Sequence, residues 1–305
     1  MNILSLEEIK SRIDLPKITA MQEEGFKLYS DGKVNVPPVG YLQQKNPPGS
    51  YHIKYGVIDD DSCWVVKIAG GPSAMPLSGM MIALSTQTGK PLALLMDDGY
   101  LTQLRTAVAG LICAKYLAPK SISAVGVLGT GQQARMQIQI LKDFTACRVV
   151  YVWGRTIDKA RSYKNDMESE GFNVCLASSP AEVAQNCNFI VTTTASRQPL
   201  IYANEIRPGT HITAMGADAP GKLELEPALF RKADIVVVDS KTQCIDHGEI
   251  CSAYKQRLIT DKDLIEFGQI IANPNMGRTT DDQITIADLT GVAIQDIQIA
   301  KSIIG

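Results

Sequence analysis

The 305-residue sequence contains little that would indicate a metal site, a disulfide framework or a membrane span. Its three histidines, His52, His211 and His247, are too widely separated for a local zinc pattern. Its seven cysteines include no CxxC pair and lie mostly in apolar runs, which favours free thiols in a reducing compartment. No stretch approaches about 18 consecutive apolar residues, and the first ten residues carry no secretion signal. We therefore expect a cytoplasmic protein that uses no metal.

The chain also lacks a charge excess. The formal net charge is −2 and the pI is near 6, so there is no electrostatic basis for binding nucleic acid or an anionic membrane. Hydrophobic residues make up 45% of the chain and charged residues 20%, which is ordinary for a globular protein. The length exceeds one average domain, so two domains are expected.

The first third of the chain predicts helices followed by antiparallel strands. Ser5 and Glu8 form a capping-box pattern before an amphipathic stretch that is interrupted at Pro16, so two short helices are expected. Residues 34–60 contain several prolines and predict a loop with one strand around Tyr51–Tyr55. Further patterns predict three short strands and one helix, at residues 64–68, 80–85, 91–96 and 102–117.

From residue 121 onward, apolar strands alternate with helical stretches. The predicted strands are 123–128, 148–153, 173–176, 189–193, 211–215 and 235–239, and the predicted helices are 132–143, 156–170, 180–186, 226–232 and 291–304. Fully apolar strands that alternate with helices indicate a parallel sheet covered on both faces. The sequence therefore predicts an α/β fold in this region.

A glycine motif lies between the first of these strands and its helix. In the pattern GxGxxA, Gly129 permits a tight turn, Gly131 lets a pyrophosphate approach the backbone, and Ala134 lets the helix pack closely on the strand. The helix N-terminus then offers N–H donors to phosphate. Because strand–helix alternation surrounds the motif, we interpret it as a dinucleotide site and not as an ordinary glycine turn. The expected cofactor contacts are Gly129, Thr130, Gly131, Gln132, Gln133, Ala134, Arg155, Thr156, Thr193, Met215 and Gly216.

The end of the second strand bears on the choice between NAD and NADP. An NAD-specific site usually has an acidic residue there, which binds the ribose 2′-hydroxyl. Here Trp153 is followed by Gly154, Arg155 and Thr156, and the first acidic residue is Asp158. Arg155 and Thr156, with Lys159, could hold a 2′-phosphate, or they could be routine surface residues of a turn. The pattern favours NADP(H), with NAD(H) as the alternative.

Four further segments resemble the ornithine cyclodeaminase/mu-crystallin family, and together with the glycine motif they extend over essentially the whole chain. They are Val66–Ile68, Leu104–Ala109, Gly216–Leu225 and Thr290–Asp296. The resemblance implies a Rossmann NAD(P)-binding domain at residues 119–288, inserted into a mixed α+β substrate-binding and dimerisation domain made of residues 1–118 and 289–305. It therefore also implies a homodimer.

The resemblance further implies how a small amino- or imino-acid substrate is bound. Lys67 and Arg105 would hold its α-carboxylate, which a guanidinium can bind bidentately. An arginine that family members often carry after an early proline is missing near Val39. His52 and Lys54 could substitute for that arginine, or they could face solvent.

Asp218 is the residue to which the resemblance assigns chemistry, together with Lys67, and Ser78 matches a threonine that helps to bind substrate. In deaminating members this aspartate lies beside the substrate amine. A desolvated carboxylate there could take the proton of an ammonium group whose pKa is about 10.4. From the residues alone, Asp218 would be a turn residue before Pro220. Members that only reduce ketimines often lack it, so its presence favours deamination.

Three functions remain open at this point. The leading hypothesis is ornithine cyclodeamination, in which L-ornithine gives L-proline and ammonia and the hydride is recycled internally. The second is an NAD(P)H-dependent ketimine or imine reductase, or an alanine-type amino-acid dehydrogenase, which the preference for NADP(H) supports. The third is a non-catalytic cofactor-binding protein. The presence of Lys67, Arg105 and Asp218 argues against the third.

Overall fold

The computed structural model describes residues 1–72, Met75 and residues 78–305. Its contacts divide the chain into two compact units. Unit 1 comprises Met1–Ala109 and Val292–Gly305, and unit 2 comprises Gly110–Gly291. The expected assignment of substrate binding to one domain and nucleotide binding to the other stays a prediction.

Unit 1 is built on a mostly antiparallel sheet. Its strands are β1 (Asn2–Leu4), β2 (Val34–Asn35), β3 (Gly40–Lys45), β4 (Pro48–Ile58), β5 (Cys63–Pro72), β6 (Ser78–Ser85) and β7 (Pro91–Leu95), and the helices up to this point are α1 (Leu6–Ser11), α2 (Leu15–Ser30) and α3 (Tyr100–Leu117). The strand order is β1-β7-β6-β5-β4-β2, and β3 pairs with β4. Among the strand pairs that the structure describes in this sheet, only β1 and β7 run parallel.

The first two helices begin where the sequence predicts them. Ser5 N–H donates to Glu8 Oε2 at 2.8 Å, and Glu8 N–H donates weakly to Ser5 Oγ at 3.4 Å, so the capping box is confirmed. Asp14 caps α2 by accepting from Lys17 N–H at 3.0 Å. Pro16 lies in the first turn of α2, where its missing N–H has no intrahelical partner to lose.

The expected strand around Tyr51–Tyr55 is confirmed as part of β4, but the expectation of a proline-rich loop over the rest of residues 34–60 is wrong. β3 and β4 form an antiparallel hairpin whose register pairs Lys45 with Pro48. Pro47 lies in the turn and Pro48 is the first residue of β4, a position where a strand tolerates the missing N–H. The connection at residues 36–39 stays irregular, and residues 46–47 and 59–60 are turns.

Unit 2 is built on a parallel sheet with helices between its strands. Its strands are β8 (Val125–Leu128), β9 (Val149–Trp153), β10 (Asn173–Leu176), β11 (Phe189–Thr192), β12 (Arg197–Ile201), β13 (His211–Ala214), β14 (Leu223–Leu225), β15 (Ile235–Val238), β16 (Leu264–Glu266) and β17 (Thr285–Asp288). Its helices are α4 (Gln132–Ile140), α5 (Ile157–Ser169), α6 (Pro180–Asn186), α7 (Pro227–Lys232), α8 (Lys241–His247), α9 (Ile250–Lys255) and α10 (Phe267–Ala272), after which α11 (Ala293–Ile304) belongs to unit 1.

Eight strands of unit 2 form one sheet in the order β10-β9-β8-β11-β13-β17-β15-β16, and β12 and β14 form a separate pair. All pairs of the large sheet are parallel. Along the sheet the strands run backwards in sequence from β10 to β8 and forwards from β11 to β13, so the direction reverses between β8 and β11, as in the doubly wound nucleotide-binding fold. Strands β8, β11, β13, β15 and β17 are buried at every residue, which requires cover on both faces. The predicted α/β fold class is confirmed.

The sheet of unit 1 has one covered and one open face. Alternate residues of β5, from Cys63 through Lys67 to Ala69, are buried on the covered face, against which α11 packs. The side chains of the other face are apolar and partly exposed, including Ile3, Tyr55, Ile68, Leu92 and Met96. Among the described residues of the whole chain, no helix is long and apolar enough to cross a membrane.

Candidate active site

The two glycines of the motif have different structural roles. Gly129 follows β8 with φ of 119°, a conformation that L-residues rarely adopt, and a Cβ there would lie 2.4 Å from Thr193 Oγ1. Gly131 has φ of −83° as the N-cap of α4, and a Cβ on it would meet nothing within 4 Å. The fold therefore requires Gly129, whereas the space beside Gly131 is open to a ligand.

A cavity of about 250 Å³ lies at the carboxyl ends of β8, β9 and β11. It is lined by Gly129, Thr130, Trp153, Gly154, Arg155, Thr156, Lys159, Thr193, Thr194, Ala195, Ser196 and Leu200. Nucleotides bind at this position in doubly wound sheets, where the strand order reverses.

The predicted cofactor residues fall into two groups. Gly129, Thr130, Arg155, Thr156 and Thr193 line the cavity. The others, which lie along the first turn of α4 or after β13, are not on its lining: Gly131, Gln132, Gln133, Ala134, Met215 and Gly216. Of these, Ala134 packs in the core as expected for the third motif position.

The side of the cavity after β9 carries positive charge. Arg155 and Lys159 line it and are exposed, and no carboxylate is among the lining residues that the structure describes. The nearest acidic residue in sequence, Asp158, lies 3.8 Å from Arg161 and is not on the lining. The cavity therefore lacks the acidic group that an NAD-specific site usually directs at the ribose.

Two residues that the sequence analysis missed support the loops around the cavity. Arg135 Nη1 donates to the carbonyl oxygens of Thr130 at 2.5 Å and Gly131 at 3.2 Å, while Arg135 Nε donates to Asp166 at 2.9 Å. This arginine directly follows the last residue of the glycine motif, and that position was the available signal. It fixes the glycine turn from the side of α4.

The second missed residue is Glu224, which is fully buried. Its carboxylate accepts from Thr194 N–H at 2.6 Å and from Gly216 N–H at 3.0 Å, so it joins the segments that follow β11 and β13. Glu249 in turn accepts from Glu224 N–H at 2.8 Å. Burial raises the pKa of Glu224 to about 7, although the surrounding donors oppose that shift.

Unit 1 contains a buried cluster of charges beneath α11. Lys67 Nζ lies 3.0 Å from Oδ1 and 2.9 Å from Oδ2 of Asp296, and Arg105 Nε lies 3.1 Å from Oδ1 of the same carboxylate. Lys67, Arg105 and Asp296 are 2%, 6% and 1% exposed. Lys54 is paired with Lys67 in the β4–β5 register and is also buried. Asp296 is the last residue of the family-like segment Thr290–Asp296, and no local sequence pattern indicates a role for it.

The cluster carries more positive than negative charge. Burial lowers the pKa of Lys67 to about 7, the carboxylate of Asp296 opposes this, and Arg105 and Lys54 lower it further. Burial would raise the pKa of Asp296, but the charges of Lys67 and Arg105 outweigh burial, so that it is lowered. Lys67 and Arg105 thus share the carboxylate of Asp296, and a further anion could bind beside the two cations.

Ser78 and His52 lie apart from this cluster. Ser78 pairs with Gly70 in the β5–β6 register, on the sheet face opposite to Lys67, and its Oγ donates to Asp98 Oδ1 at 2.7 Å. The ring of His52 lies edge-on to Tyr41 at 5.0 Å. Of the two candidates for the missing arginine, only Lys54 lies in the charged cluster.

The expectation that Asp218 is a desolvated carboxylate is wrong. It lies after β13 with its side chain 45% exposed and forms an ion pair with Lys222. The turn between these two residues returns the chain on itself, so a side chain four residues away reaches the carboxylate at the surface. The structure therefore shows Asp218 with a cationic partner.

The parallel sheet, the glycine turn at its switch point and the adjoining cavity define a dinucleotide-binding protein of the Rossmann class. More narrowly, the chain belongs to the ornithine cyclodeaminase/mu-crystallin family, whose model matches residues 1–304. An uncharacterized cyclodeaminase of Sinorhizobium fredii is 35% identical over 310 residues, which cover 98% of this chain and 94% of that protein.

Two solved structures share the fold of the entire chain. An archaeal alanine dehydrogenase, a dimer with bound NAD, superposes with a TM-score of 0.90 at 35% identity and covers 100% of this chain and 95% of its own. The Thermococcus litoralis Δ1-pyrroline-2-carboxylate reductase, in complex with NADH and L-proline, superposes with a TM-score of 0.92 at 25% identity. The match covers 100% of this chain and 96% of the reductase chain. These relatives are nicotinamide-dependent enzymes of amino acids or imines.

Proposed function

We propose that this protein is an NAD(P)-dependent oxidoreductase that interconverts a small L-α-amino acid and its α-imino acid. The observation that carries the proposal is the buried cluster of Lys67, Arg105 and Asp296, whose positive excess suits the α-carboxylate that all such substrates share. The dinucleotide cavity of unit 2 supports it independently.

The residues of unit 2 fit a dinucleotide. The open space at Gly131 and the N-terminus of α4 suit a pyrophosphate, and Thr130 and Thr193 line the cavity beside them. A bound nicotinamide would exchange a hydride with the substrate Cα. We propose NADP(H) as the preferred cofactor, because Arg155 and Lys159 offer two cations to a 2′-phosphate. The NAD and NADH in the two solved relatives make NAD(H) the alternative.

In this proposal the chain binds and orients the substrate through unit 1. Arg105 offers a planar pair of donors to the carboxylate, and Lys67 adds a cation beside it. Because the pKa of Lys67 is about 7, its Nζ can also hold or release a proton at neutral pH. Lys54 supplies the third cation in place of the arginine missing near Val39.

The second candidate is ornithine cyclodeamination, which Asp218 and the cyclodeaminase relative favour. The Cα of L-ornithine would give a hydride to the oxidised nicotinamide, which leaves an α-imine, and Asp218 would take a proton from the δ-ammonium group. The δ-amine then attacks the imine carbon and ammonia departs. The same hydride returns to the cyclic imine and gives proline, so no cofactor is consumed. We place this function second because Asp218 is exposed and paired with Lys222, whereas a proton acceptor for an ammonium group gains strength from a dry site.

One pair of assays separates these functions. The purified protein is incubated with L-ornithine and a trace of NAD⁺ or NADP⁺, and proline is quantified by mass spectrometry. In parallel, NADPH and NADH oxidation is followed with pyruvate plus ammonia and with Δ1-pyrroline-2-carboxylate. Stoichiometric cofactor oxidation supports the oxidoreductase, and proline in large excess over cofactor supports the cyclodeaminase. Cofactor binding without turnover in any assay would contradict both and leave a non-catalytic binding protein.

We also propose that the protein is a homodimer formed through the open face of the unit 1 sheet. That face exposes Ile3 at 60%, Met96 at 43% and Leu92 at 40% of their surfaces, and exposed apolar side chains on one face are typical of a protein–protein interface. The archaeal alanine dehydrogenase is also a dimer. Light scattering after size-exclusion chromatography should give twice the chain mass of 33.1 kDa. A Leu92→Lys variant should shift to monomer, and a monomeric wild type would refute the interface.

A further inference from the structure

The last helix of the chain places two consecutive side chains against the proposed carboxylate-binding cations. Gln295 and Asp296 lie in the first turns of α11, and both are almost fully buried. Asp296 contacts Lys67 Nζ and Arg105 Nε. Gln295 Oε1 accepts from Arg105 Nη1 at 3.2 Å and from Val292 N–H at 3.0 Å, while its Nε2 lies 3.4 Å from the Arg105 carbonyl oxygen.

These contacts constrain the two cations from one side. Gln295 accepts a hydrogen bond from Arg105 Nη1, whereas Asp296 Oδ1 lies 3.1 Å from Arg105 Nε as an ion pair without a hydrogen bond. Among the described residues no side chain accepts from Nη2. The same Asp296 carboxylate lies between Lys67 and Arg105, whose like charges would otherwise separate them. A buried cation pair without such a carboxylate would be strongly disfavoured.

We propose that Asp296 is a positioning residue, assisted by Gln295, which holds Lys67 and Arg105 together so that both can bind one substrate carboxylate. This inference rests on the proposed function for the identity of the ligand, but its structural part does not. Asp296 acts through the two cations and contributes no atom to the reaction.

The proposal has a consequence for the protonation of Lys67. Four charged groups act on its ammonium group: Asp296 from α11, Arg105 from α3, Lys54 from β4, and Asp97 from the segment before α3. Asp296 is the foremost group that favours the charged form, and Arg105 and Lys54 oppose it. Without the Asp296 charge, Lys67 should lose its proton at a lower pH and bind carboxylates poorly at neutral pH.

The test compares Asp296→Asn with Asp61→Asn. Asp61 forms an ion pair with Lys301 on the same helix α11 and does not contact the cluster, so it controls for the loss of a helix-anchoring carboxylate. Lys67 is titrated by NMR of ¹³C-lysine-labelled protein, with its signal assigned from Lys67→Arg. Asp296→Asn should lower the pH at the midpoint of the Lys67 titration by about one pH unit or more. Asp61→Asn should leave that midpoint unchanged. An unmoved titration in Asp296→Asn, or an equal shift in both variants, would overturn the proposal.

A binding measurement separates this inference from the proposed function. Calorimetric titration with pyruvate at pH 7.5 should show affinity reduced about tenfold or more in Asp296→Asn, with NADPH affinity unchanged. If the wild type binds no pyruvate, the carboxylate role of the cluster fails, while the NMR titration still decides the role of Asp296. If Asp296→Asn does not fold, the Asp296→Glu variant is measured instead. It should retain the titration midpoint of Lys67 and bind pyruvate more weakly. Undiminished pyruvate binding would overturn the proposal.

Discussion

The two glycines of the nucleotide turn offer a direct test of the dinucleotide site, because only one of them is required by the fold. An alanine at Gly131 keeps an ordinary φ of −83° and places its Cβ in open space. We expect Gly131→Ala to fold with the stability of the wild type. In the complex, however, the added methyl group would occupy the space through which the pyrophosphate approaches the backbone.

The matched variant Gly129→Ala should behave in the opposite way. Its φ of 119° costs an alanine about 1–3 kcal/mol, and the Cβ would also lie 2.4 Å from Thr193 Oγ1. For a unit the size of residues 110–291, 1 kcal/mol corresponds to roughly 2–4 °C in Tm, so we expect a decrease of about 2–12 °C in the absence of cofactor.

Differential scanning fluorimetry and NADPH titration distinguish the two effects. Gly131→Ala should retain the wild-type Tm without cofactor but bind NADPH about tenfold or more weakly, so that the increase in Tm at a fixed NADPH concentration is smaller by the equivalent of about 1.4 kcal/mol or more. A Gly131→Ala variant that binds NADPH as tightly as the wild type would refute the placement of the pyrophosphate at this turn. An unchanged Tm in Gly129→Ala would refute the strain argument.

Three further predictions concern single side chains. Arg155→Ala should weaken NADPH binding about tenfold and leave NADH binding nearly unchanged, and equal losses in a fluorescence titration would mean that Arg155 does not contact the 2′-phosphate. Asp218→Asn should abolish any proline formation from ornithine without changing cofactor affinity, and undiminished proline would remove Asp218 from that reaction. Burial and Arg278 lower the pKa of His211 to about 3, so the unfolded chain binds the proton more tightly and stability should fall with pH below the ordinary value of about 6.5. Urea unfolding at pH 7 and pH 5 should show a loss about 2 kcal/mol larger in the wild type than in His211→Gln, and equal losses would contradict the assignment.

The nucleotide-binding half of the fold could be predicted from the sequence because its signals are local. Strands such as Ile235–Val238 are continuous apolar runs, and the glycine motif joins β8 directly to α4. The sequence does not predict the strands β12, β14, β16 and β17 or the helices α8 to α10. Strand β17, for example, begins and ends with polar residues and owes its strand conformation to its neighbours β13 and β15. Its polar ends are satisfied by long-range contacts, as where Thr285 Oγ1 donates to the Leu117 carbonyl.

The candidate site was less predictable because its partners are distant in sequence. Lys67 and Arg105 were named through the family resemblance, but no local pattern indicates that Asp296 joins them. The same holds for Glu224, whose role depends on two loops that meet only in the folded sheet. A desolvated Asp218 is expected because a carboxylate takes up a proton more readily in a dry site. The sequence pattern does not indicate that Lys222, four residues away, pairs with Asp218 at the surface.

The separation in sequence between Lys67 and Asp296 also determines when unit 1 can be completed during synthesis. These residues are 229 positions apart, so at about 5–20 residues per second a ribosome adds Asp296 roughly 10–45 s after Lys67. Throughout that interval the antiparallel sheet has neither its covering helix nor the counter-charge for its buried cations. Residues 110–291 are continuous in sequence and meet no such delay. The nascent chain should therefore complete its nucleotide-binding unit first, and the sheet of unit 1 stays without its covering helix until the end of synthesis.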